Sequence, residues 1–208
     1  LAGGSDLIAQ LKEGRRKIDL LLDIKKIPET TALSFDGKNG LHVGAATACS
    51  VISGNEDVRS HYPALVDCTS IIGSVQIQNR GSMGGNICNS SPAADSPPSA
   101  IVLGGICQIA GPNDTREVAV EDFFTGPGEN VLKSGELLIA IQFPPPASNS
   151  GAFSLRFIPR NEMDIAVANA AVSVVLNDDK SVIESARVAI GAVAPTPLLV
   201  AEAGAALA

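Results

Sequence analysis

The chain has few aromatic residues and few histidines. Its 208 residues include no Trp, one Tyr, six Phe and two His. Aromatic rings are the surfaces on which single-stranded nucleic acids stack, so their scarcity argues against that function. A Ser-His-Asp triad would need His42 or His61, the only two histidines, and no G-x-S-x-G segment supplies its nucleophile, which argues against such a hydrolase. We expect a core built mainly from Ala, Val, Ile and Leu.

Positive charge and long apolar runs are lacking as well. The formal net charge is −7, and the longest basic block is the triplet Arg15-Arg16-Lys17. Nucleic acids and anionic membranes attract basic surfaces, so we predict neither as a partner. The longest apolar stretch, residues 165–176, is interrupted by Asn169 and Ser173 and is too short to cross a bilayer. We therefore predict no membrane span.

Paired cysteines are also absent. The four cysteines stand at positions 49, 68, 88 and 107, and no two of them form a C-x-x-C pair. This spacing argues against a zinc ribbon, a thioredoxin-type pair and a cysteine-bound iron–sulfur cluster in this chain. Isolated cysteines flanked by small residues are typical of reduced thiols, so we predict a cytoplasmic protein. No set of ligands has the spacing of a metal site, and we predict none.

A proline triplet marks a candidate domain boundary. Pro144-Pro145-Pro146 is followed by Ala-Ser-Asn-Ser-Gly, a composition that ends a strand and forms a linker. We predict two domains, residues 1–146 and 147–208. Strand-like and helical segments without regular alternation predict the α+β class, with an antiparallel sheet in the second domain. Because the chain starts with Leu and ends as a predicted helix begins, we expect both domains to be truncated.

Several local predictions depend on composition. The apolar run 19–24 predicts a buried strand, and the run 101–110 predicts another. Ser5 precedes an amphipathic segment, so we predict that it caps a helix ending at Gly14. Residues 73–98 are crowded with Gly, Ser, Asn and Pro, which predicts a long irregular loop.

Two glycine-rich segments are candidates for binding phosphate. The first glycine segment, residues 2–6, reads Ala-Gly-Gly-Ser-Asp, and the second glycine segment, residues 81–95, reads Gly-Ser-Met-Gly-Gly-Asn-Ile-Cys-Asn-Ser-Ser-Pro-Ala-Ala-Asp. Glycine lets main-chain N–H groups approach an anion closely. Together the segments fit a ligand with two adjacent phosphates, although neither matches a Walker or a G-x-G-x-x-G pattern. A plain Gly-Gly turn and a connecting loop are the structural alternatives.

The two glycine segments resemble those of the FAD-binding medium subunit of molybdenum hydroxylases, the family of xanthine dehydrogenase and aerobic carbon monoxide dehydrogenase. The likeness continues through residues 77–80, through Gly-Glu-Leu-Leu at 135–138 and through residues 156–166, so it covers essentially the whole chain. The resemblance implies an α+β fold. A two-subdomain FAD-binding domain of the vanillyl-alcohol-oxidase (PCMH) type would precede a small α+β C-terminal domain.

The resemblance also implies FAD as the cofactor and indicates which residues contact it. Both glycine segments would hold the FAD diphosphate, and further positions would lie near the cofactor. The implied FAD-binding residues are Ala2, Gly3, Gly4, Ser5, Asp6, Leu7, Ile72, Gly73, Gly81, Ser82, Gly84, Gly85, Asn86, Cys88, Asp95, Leu138 and Arg156. Xanthine dehydrogenases carry a lysine at the position of Arg156, which leaves its role open. No residue of this chain is predicted to be catalytic.

The function implied by the resemblance is electron relay. Substrate would be hydroxylated at a molybdopterin centre on a large subunit, and electrons would pass through [2Fe-2S] clusters of a small subunit to FAD. From FAD they would reach NAD⁺, a quinone or oxygen. The complex would be a dimer of heterotrimers. Two alternatives remain open: a stand-alone flavin oxidoreductase of the same fold, and a non-catalytic assembly subunit that has lost FAD, against which the intact glycines argue.

Overall fold

The computed structural model describes all 208 residues, which form a five-stranded, a four-stranded and a two-stranded antiparallel sheet with short helices packed on them. The helices are α1 (Leu7–Lys12), α2 (Pro28–Thr31), α3 (Cys49–Gly54), α4 (Glu56–His61), α5 (Pro63–Thr69), α6 (Val75–Gln78), α7 (Met83–Asn89), α8 (Ser96–Val102) and α9 (Ala201–Leu207). The strands are β1 (Leu33–Asp36), β2 (Gly40–Gly44), β3 (Ile106–Ala110), β4 (Thr115–Ala119), β5 (Phe124–Gly126), β6 (Glu129–Asn130), β7 (Leu137–Phe143), β8 (Ser150–Phe157), β9 (Ala168–Leu176), β10 (Ile183–Gly191) and β11 (Leu198–Leu199).

The first sheet has five strands in the order β1-β2-β7-β3-β4, with β7 at its centre. Leu41 of β2 lies opposite Phe143 of β7, and Cys107 of β3 lies opposite Ile141 of β7. These four side chains are buried. Side chains alternate between the faces of a strand, so one face of the sheet presents a continuous apolar surface to the helices.

The second sheet has four strands in the order β11-β10-β9-β8, all antiparallel. Strands β9 and β10 form a hairpin whose turn lies between Leu176 and Ile183. Helix α8 packs against β8, β9 and β10, and α7 packs against β7 of the first sheet. Ala171 of β9 and Ala189 of β10 belong to the same buried cluster as the first sheet's core. The α+β class predicted from the sequence is confirmed.

Residues 144–149 connect the two sheets without helix or strand. The boundary predicted between residues 146 and 147 falls in this connection and stays a prediction, because one core cluster runs through both parts. No helix of the chain combines the length and the hydropathy needed to cross a bilayer.

The buried strand predicted over residues 19–24 is wrong. These residues form no strand, and Leu20 is 71% exposed. Only Leu1 pairs its own backbone with the segment: its amino group donates to the Leu22 carbonyl, and its carbonyl accepts from Ile24 N–H at 3.1 Å. Strands form where a neighbouring segment pairs with their backbone, and this segment has only one residue of that kind.

The strand predicted over residues 101–110 and the loop predicted over 73–98 are wrong in part. The first two residues of the run, Ile101 and Val102, belong to α8, because Pro97 and Pro98 set the backbone of its first turn and the following residues are buried. Gly104, at φ +69°, then ends the helix before β3 begins at Ile106. Residues 73–98 hold α6, α7 and the start of α8. Burial of Met83 and Ile87 outweighs the low helix propensity of the glycines around them.

Candidate functional site

A cavity of about 340 Å³ lies between the first glycine segment and α7. Most of the residues predicted to contact the cofactor line it. These are Ala2, Gly3, Gly4, Ser5, Asp6, Leu7, Ile72, Gly81, Ser82, Gly84, Gly85, Asn86, Cys88 and Leu138. The two glycine segments, about eighty positions apart in the chain, therefore face one cavity.

The first glycine segment supplies unpaired main-chain donors to this cavity. None of the N–H groups of residues 2–7 donates to an acceptor within the protein. Gly4 has φ +79°, a value that glycine adopts without strain. A Cβ at Gly3 would overlap the Arg80 carbonyl and lie 2.6 Å from Gly81 Cα, so only glycine lets the two segments touch. Successive free N–H groups of this kind form a concave anion-binding surface.

The helix cap predicted at Ser5 is wrong. Helix α1 begins at Leu7, Asp6 occupies the cap position, and neither side chain accepts a hydrogen bond from the helix. The Ser5 hydroxyl instead lies 3.5 Å from the Asp6 carboxylate. The absence of a side-chain cap leaves the first N–H groups of the helix available to a ligand in the cavity.

The second glycine segment closes the opposite wall. Ser82 caps α7, its hydroxyl accepting from Gly85 N–H at 3.1 Å. Gly84 packs tightly on Ala45, where a Cβ would lie 2.6 Å from Ala45 Cα. Outside its own helix backbone, a Cβ at Gly85 would meet only Ser82 Oγ at 3.0 Å and Ala2 Cβ at 3.8 Å. Gly84 is therefore a packing glycine, and Gly85 keeps the space between the two segments open.

Several cavity residues were not predicted. They are Leu1, Gln10, Arg16, Ile24, Ala45, Asn89, Gly128, Leu132 and Leu137. Arg16 comes from the basic triplet and forms no ion pair, so its guanidinium is free to face an anion. Gly128 belongs to a Gly-Pro-Gly turn, and this turn is the sequence feature from which its role could have been predicted. Its N–H donates to Ser90 O at 2.9 Å. This bond holds the turn against the end of α7.

Cys88 lines the cavity, but its thiol is not reactive. Burial raises the pKa of Cys88 to about 12. Burial also raises the pKa values of Cys49 and Cys107 to about 12 and raises that of Cys68. None of the four cysteines forms a disulfide. Because the thiolate is the nucleophile, these thiols are nearly unreactive at neutral pH.

We predict that alkylation by iodoacetamide at pH 8 is at least about a hundredfold slower for every thiol of the native chain than for free cysteine. Unfolding in guanidinium should expose all four cysteines to rapid reaction. Mass spectrometry over a time course measures both rates. A native thiol that reacts as fast as free cysteine would contradict the burial described here.

Three predicted residues lie outside the cavity. Arg156 of β8 and Asp95, directly before α8, form an ion pair with 3.3 Å between Nη1 and the carboxylate oxygens. Their side chains are 8% and 13% exposed. Burial raises the pKa of Asp95 to about 6, and the neighbouring Arg156 opposes that rise. Gly73 has φ +58° beside Ile77. The contacts of these three residues with a cofactor stay predictions.

A second depression lies next to the cavity. It is lined by residues 70–71 and 154–161, which include Arg156 and Arg160. Ile71 lines this depression, while Ile72 lines the first cavity. The short segment between α5 and α6 therefore separates two adjoining openings, one rich in main-chain donors and one beside the buried ion pair.

The donors of the cavity fit a diphosphate. They comprise the free N–H groups of residues 2–7, those of Ser82 and Gly84, and the Arg16 guanidinium. Asp6 is the only carboxylate among the lining residues. Free amides and one cation favour an anion, and the apolar side chains of Leu132, Leu137 and Leu138 suit the uncharged parts of a nucleotide. No cluster of His, Cys, Asp and Glu resembles a metal site.

Comparison with known proteins agrees with this arrangement. Residues 1–146 match the FAD binding domain in molybdopterin dehydrogenase, and residues 153–208 match the CO dehydrogenase flavoprotein C-terminal domain. The chain is 32% identical over 199 residues to the xanthine dehydrogenase FAD-binding subunit of Escherichia coli O157:H7, covering 95% of this chain and 68% of that protein. It is 31% identical to the carbon monoxide dehydrogenase medium chain of Afipia carboxidovorans, covering 98% and 69%.

Solved structures show the same likeness. Carbon monoxide dehydrogenase from Hydrogenophaga pseudoflava superposes with a TM-score of 0.93 at 30% identity, covering all of this chain and 71% of that one. Quinoline 2-oxidoreductase from Pseudomonas putida 86 gives 0.89 at 25% identity, covering 100% and 70%. Fold and cavity thus define the flavin-binding subunit of an oxidoreductase. The chain belongs to the FAD-binding (medium) subunits of the molybdenum hydroxylase family. The predictions of the family and of FAD as its cofactor are confirmed.

Proposed function

We propose that the cavity holds the FAD diphosphate between the two glycine segments and that the chain relays electrons through this FAD. The observation that carries the proposal is the pair of facing backbone segments, whose N–H groups at residues 2–7 and at Ser82 and Gly84 have no acceptor in the protein. A buried N–H without an acceptor is rare in folded proteins unless a ligand or water completes it, and Gly3, Ser82 and Gly84 are buried. A diphosphate supplies several oxygen acceptors at once.

The proposed roles of the residues follow from their positions. The main chain of Ala2 to Leu7 donates to phosphate oxygens, and Arg16 offsets their charge. Gly3 and Gly85 allow close approach by leaving no Cβ in the way. Leu138 and Ile72 contact the uncharged parts of the cofactor. A cavity of about 340 Å³ takes only part of FAD, so we propose that the flavin ring extends past Ile72 towards Gly73, Asp95 and Arg156.

FAD supplies the redox chemistry, because its ring accepts and releases electrons one or two at a time. The chain binds the cofactor, orients it and limits the access of water to it. We propose that the electrons come from [2Fe-2S] clusters of a small subunit, which receives them from a large molybdopterin-binding subunit. Electrons would leave for NAD⁺, a quinone or oxygen. The relatives named medium chains and subunits support partners of this kind, and we propose a dimer of heterotrimers in the cytoplasm.

Ligand preference tests the site. We expect the purified chain to bind FAD and to bind FMN and riboflavin at least about a hundredfold more weakly, because they lack the diphosphate bridge and its two or more charge-assisted hydrogen bonds. ADP should compete with FAD. Isothermal titration calorimetry and the flavin absorption spectrum measure these affinities. Equal affinity for FAD and riboflavin would contradict the proposal, and a chain that binds neither would favour the assembly-subunit alternative.

Co-expression with the neighbouring large and small subunits tests the relay. We expect a complex that contains molybdenum, iron and flavin, and whose flavin spectrum bleaches when substrate of the large subunit is added without an acceptor. Retention of the flavin spectrum in a complex with intact clusters would contradict electron transfer through this chain. Isolation of a fully active single chain would favour the stand-alone oxidoreductase.

A further inference from the structure

Asn86 of α7 lines the cavity, and its side-chain amide is hydrogen-bonded to a residue of α8. Its Oδ1 accepts two hydrogen bonds from Ser96, one from the hydroxyl at 2.7 Å and one from the backbone N–H at 3.2 Å. Its Nδ2 donates to no acceptor within the protein, and this atom is not among the fully buried atoms without partners. The nitrogen therefore remains free to donate, and Asn86 is one of the residues that line the cavity.

The contact with Ser96 determines which way the amide points. A backbone N–H is only a donor, so the Asn86 atom that faces it must be the oxygen. The reverse orientation would place two N–H groups against each other and leave both without an acceptor. The orientation of the amide thus follows from chemistry, and its NH₂ group is directed away from α8.

Ser96 is well placed to hold this orientation. It is the first residue of α8, it is fully buried, and Pro97 and Pro98 follow it. Two prolines fix the backbone of the helix's first turn, so the Ser96 N–H and hydroxyl have little freedom to move away from Asn86. The same residue follows Asp95, whose ion pair with Arg156 attaches this end of α8 to β8.

We infer that Ser96 is a positioning residue: it locks the Asn86 amide with its NH₂ group towards the cofactor, where that group donates to an oxygen of FAD. This inference rests on the proposed function, since it needs FAD in the cavity. Ser96 itself contacts no cofactor and acts through Asn86. Without the Ser96 hydroxyl the amide would keep only the longer bond from the backbone N–H at 3.2 Å, so the reverse orientation, which presents an acceptor to the phosphates, would become more populated.

Substitution of Ser96 tests the inference. We expect Ser96→Ala to raise the Kd for FAD about three- to tenfold, the range that the net contribution of one hydrogen bond allows. The matched control is Ser99→Ala on the same helix, because Ser99 is equally buried and its hydroxyl has no hydrogen-bond partner. Its Kd for FAD should stay within about twofold of wild type, whatever the change in the stability of the apoprotein.

A double-mutant cycle separates positioning from a general structural effect. If Ser96 acts through Asn86, Ser96→Ala should raise the Kd in the wild-type background and leave it unchanged in the Asn86→Ala background. An equal rise in both backgrounds would overturn the inference, as would an unchanged Kd of Ser96→Ala. Failure of the wild-type chain to bind FAD would overturn the proposed function instead, so the two failures are distinguishable.

Asn86→Asp provides a second variant that keeps the contacts with Ser96. A carboxylate still accepts both hydrogen bonds but presents an acceptor to the cavity in place of the donor. We expect its Kd for FAD to rise at least about tenfold at pH 8, because a lost donor and a like charge face the phosphates. An affinity equal to that of wild type would show that the amide nitrogen donates nothing to FAD, and the inference would fail even if Ser96→Ala does not fold.

Discussion

Gly85→Val is expected to abolish most of the affinity for FAD. A valine side chain at this position would extend into the space between the two glycine segments, where the ideal Cβ already lies 3.8 Å from Ala2 Cβ. The phosphates could then no longer reach the N–H groups of both segments. Loss of two charge-assisted hydrogen bonds costs about 3 kcal/mol, which corresponds to a Kd about a hundredfold higher. Calorimetric titration of the variant with FAD measures the change.

Two control variants isolate the cause of this loss. Gly151→Val lies in β8, where a Cβ has open space and valine suits a strand, so FAD affinity should not change. Ser82→Ala removes the cap of α7, which costs about 1 kcal/mol of helix stability, without filling the cavity. An affinity of Gly85→Val close to that of wild type would contradict the placement of the phosphates. A similar loss in Ser82→Ala would assign the effect to the cap or to a contact of Ser82 with FAD, and not to the space that Gly85 leaves open.

The fold class and much of the site could be predicted from the sequence. The triplet at Pro144 and the mixture of strand-like and helical segments are local signals, and they suffice for the α+β class. The glycines of the first and second glycine segments indicate close backbone approach in the same local way. The contact between the two segments at Gly3 and Gly81 is not a local property of the sequence. The expectation that both segments bind one cofactor came from the resemblance to a family and not from their spacing.

The failed predictions share a cause. Glycine and serine around Met83 favour a loop by propensity, yet α7 forms because Met83 and Ile87 are buried against the first sheet. The apolar run at 19–24 favours a strand, yet Leu20 is exposed because no strand lies beside it. In each case the secondary structure depends on residues that are distant in the sequence. A local pattern of about ten residues does not include them.

Long-range polar contacts were equally beyond sequence reasoning. Asp95 and Arg156 are sixty-one residues apart, and nothing in either segment indicates that they pair. The hydrogen bonds of Ser96 to Asn86 connect two helices whose relation depends on the turn between them. By contrast, Arg160 and Asp164 are only four residues apart, so their pairing can be predicted from the sequence. Arg160 is 68% exposed, and the pair contributes little to stability.

Arg156→Met is expected to destabilise the folded chain strongly at pH 8. The substitution keeps most of the side-chain length but leaves Asp95 as a buried carboxylate without its partner. Removing one member of a buried ion pair costs about 3 to 5 kcal/mol. Arg160→Met is the matched control, because Arg160 is 68% exposed and its pair with Asp164 spans 3.5 Å. Its effect on the free energy of unfolding should stay below about 1 kcal/mol.

The pH dependence of the Arg156→Met effect distinguishes charge from packing. Burial raises the pKa of Asp95 to about 6 in the folded wild type, above the value of about 4 in an unfolded chain. Protonation of Asp95 therefore stabilises the folded state. This stabilisation is fully present below about pH 4 and is lost as the pH rises through about 6. Arg156 lowers the pKa of Asp95, so in Arg156→Met this pKa should be higher than in wild type. The stability of the variant should therefore continue to fall above pH 6.

The difference in unfolding free energy between wild type and Arg156→Met should thus be small at pH 5 and largest at pH 8. Urea denaturation at both pH values measures it. The double variant Asp95→Asn/Arg156→Met has no carboxyl to titrate at this position, so its stability relative to that of Arg156→Met should rise between pH 5 and pH 8. A destabilisation by Arg156→Met that is equal at the two pH values would assign the effect to packing of the arginine stem, because a loss of packing does not depend on the protonation of Asp95.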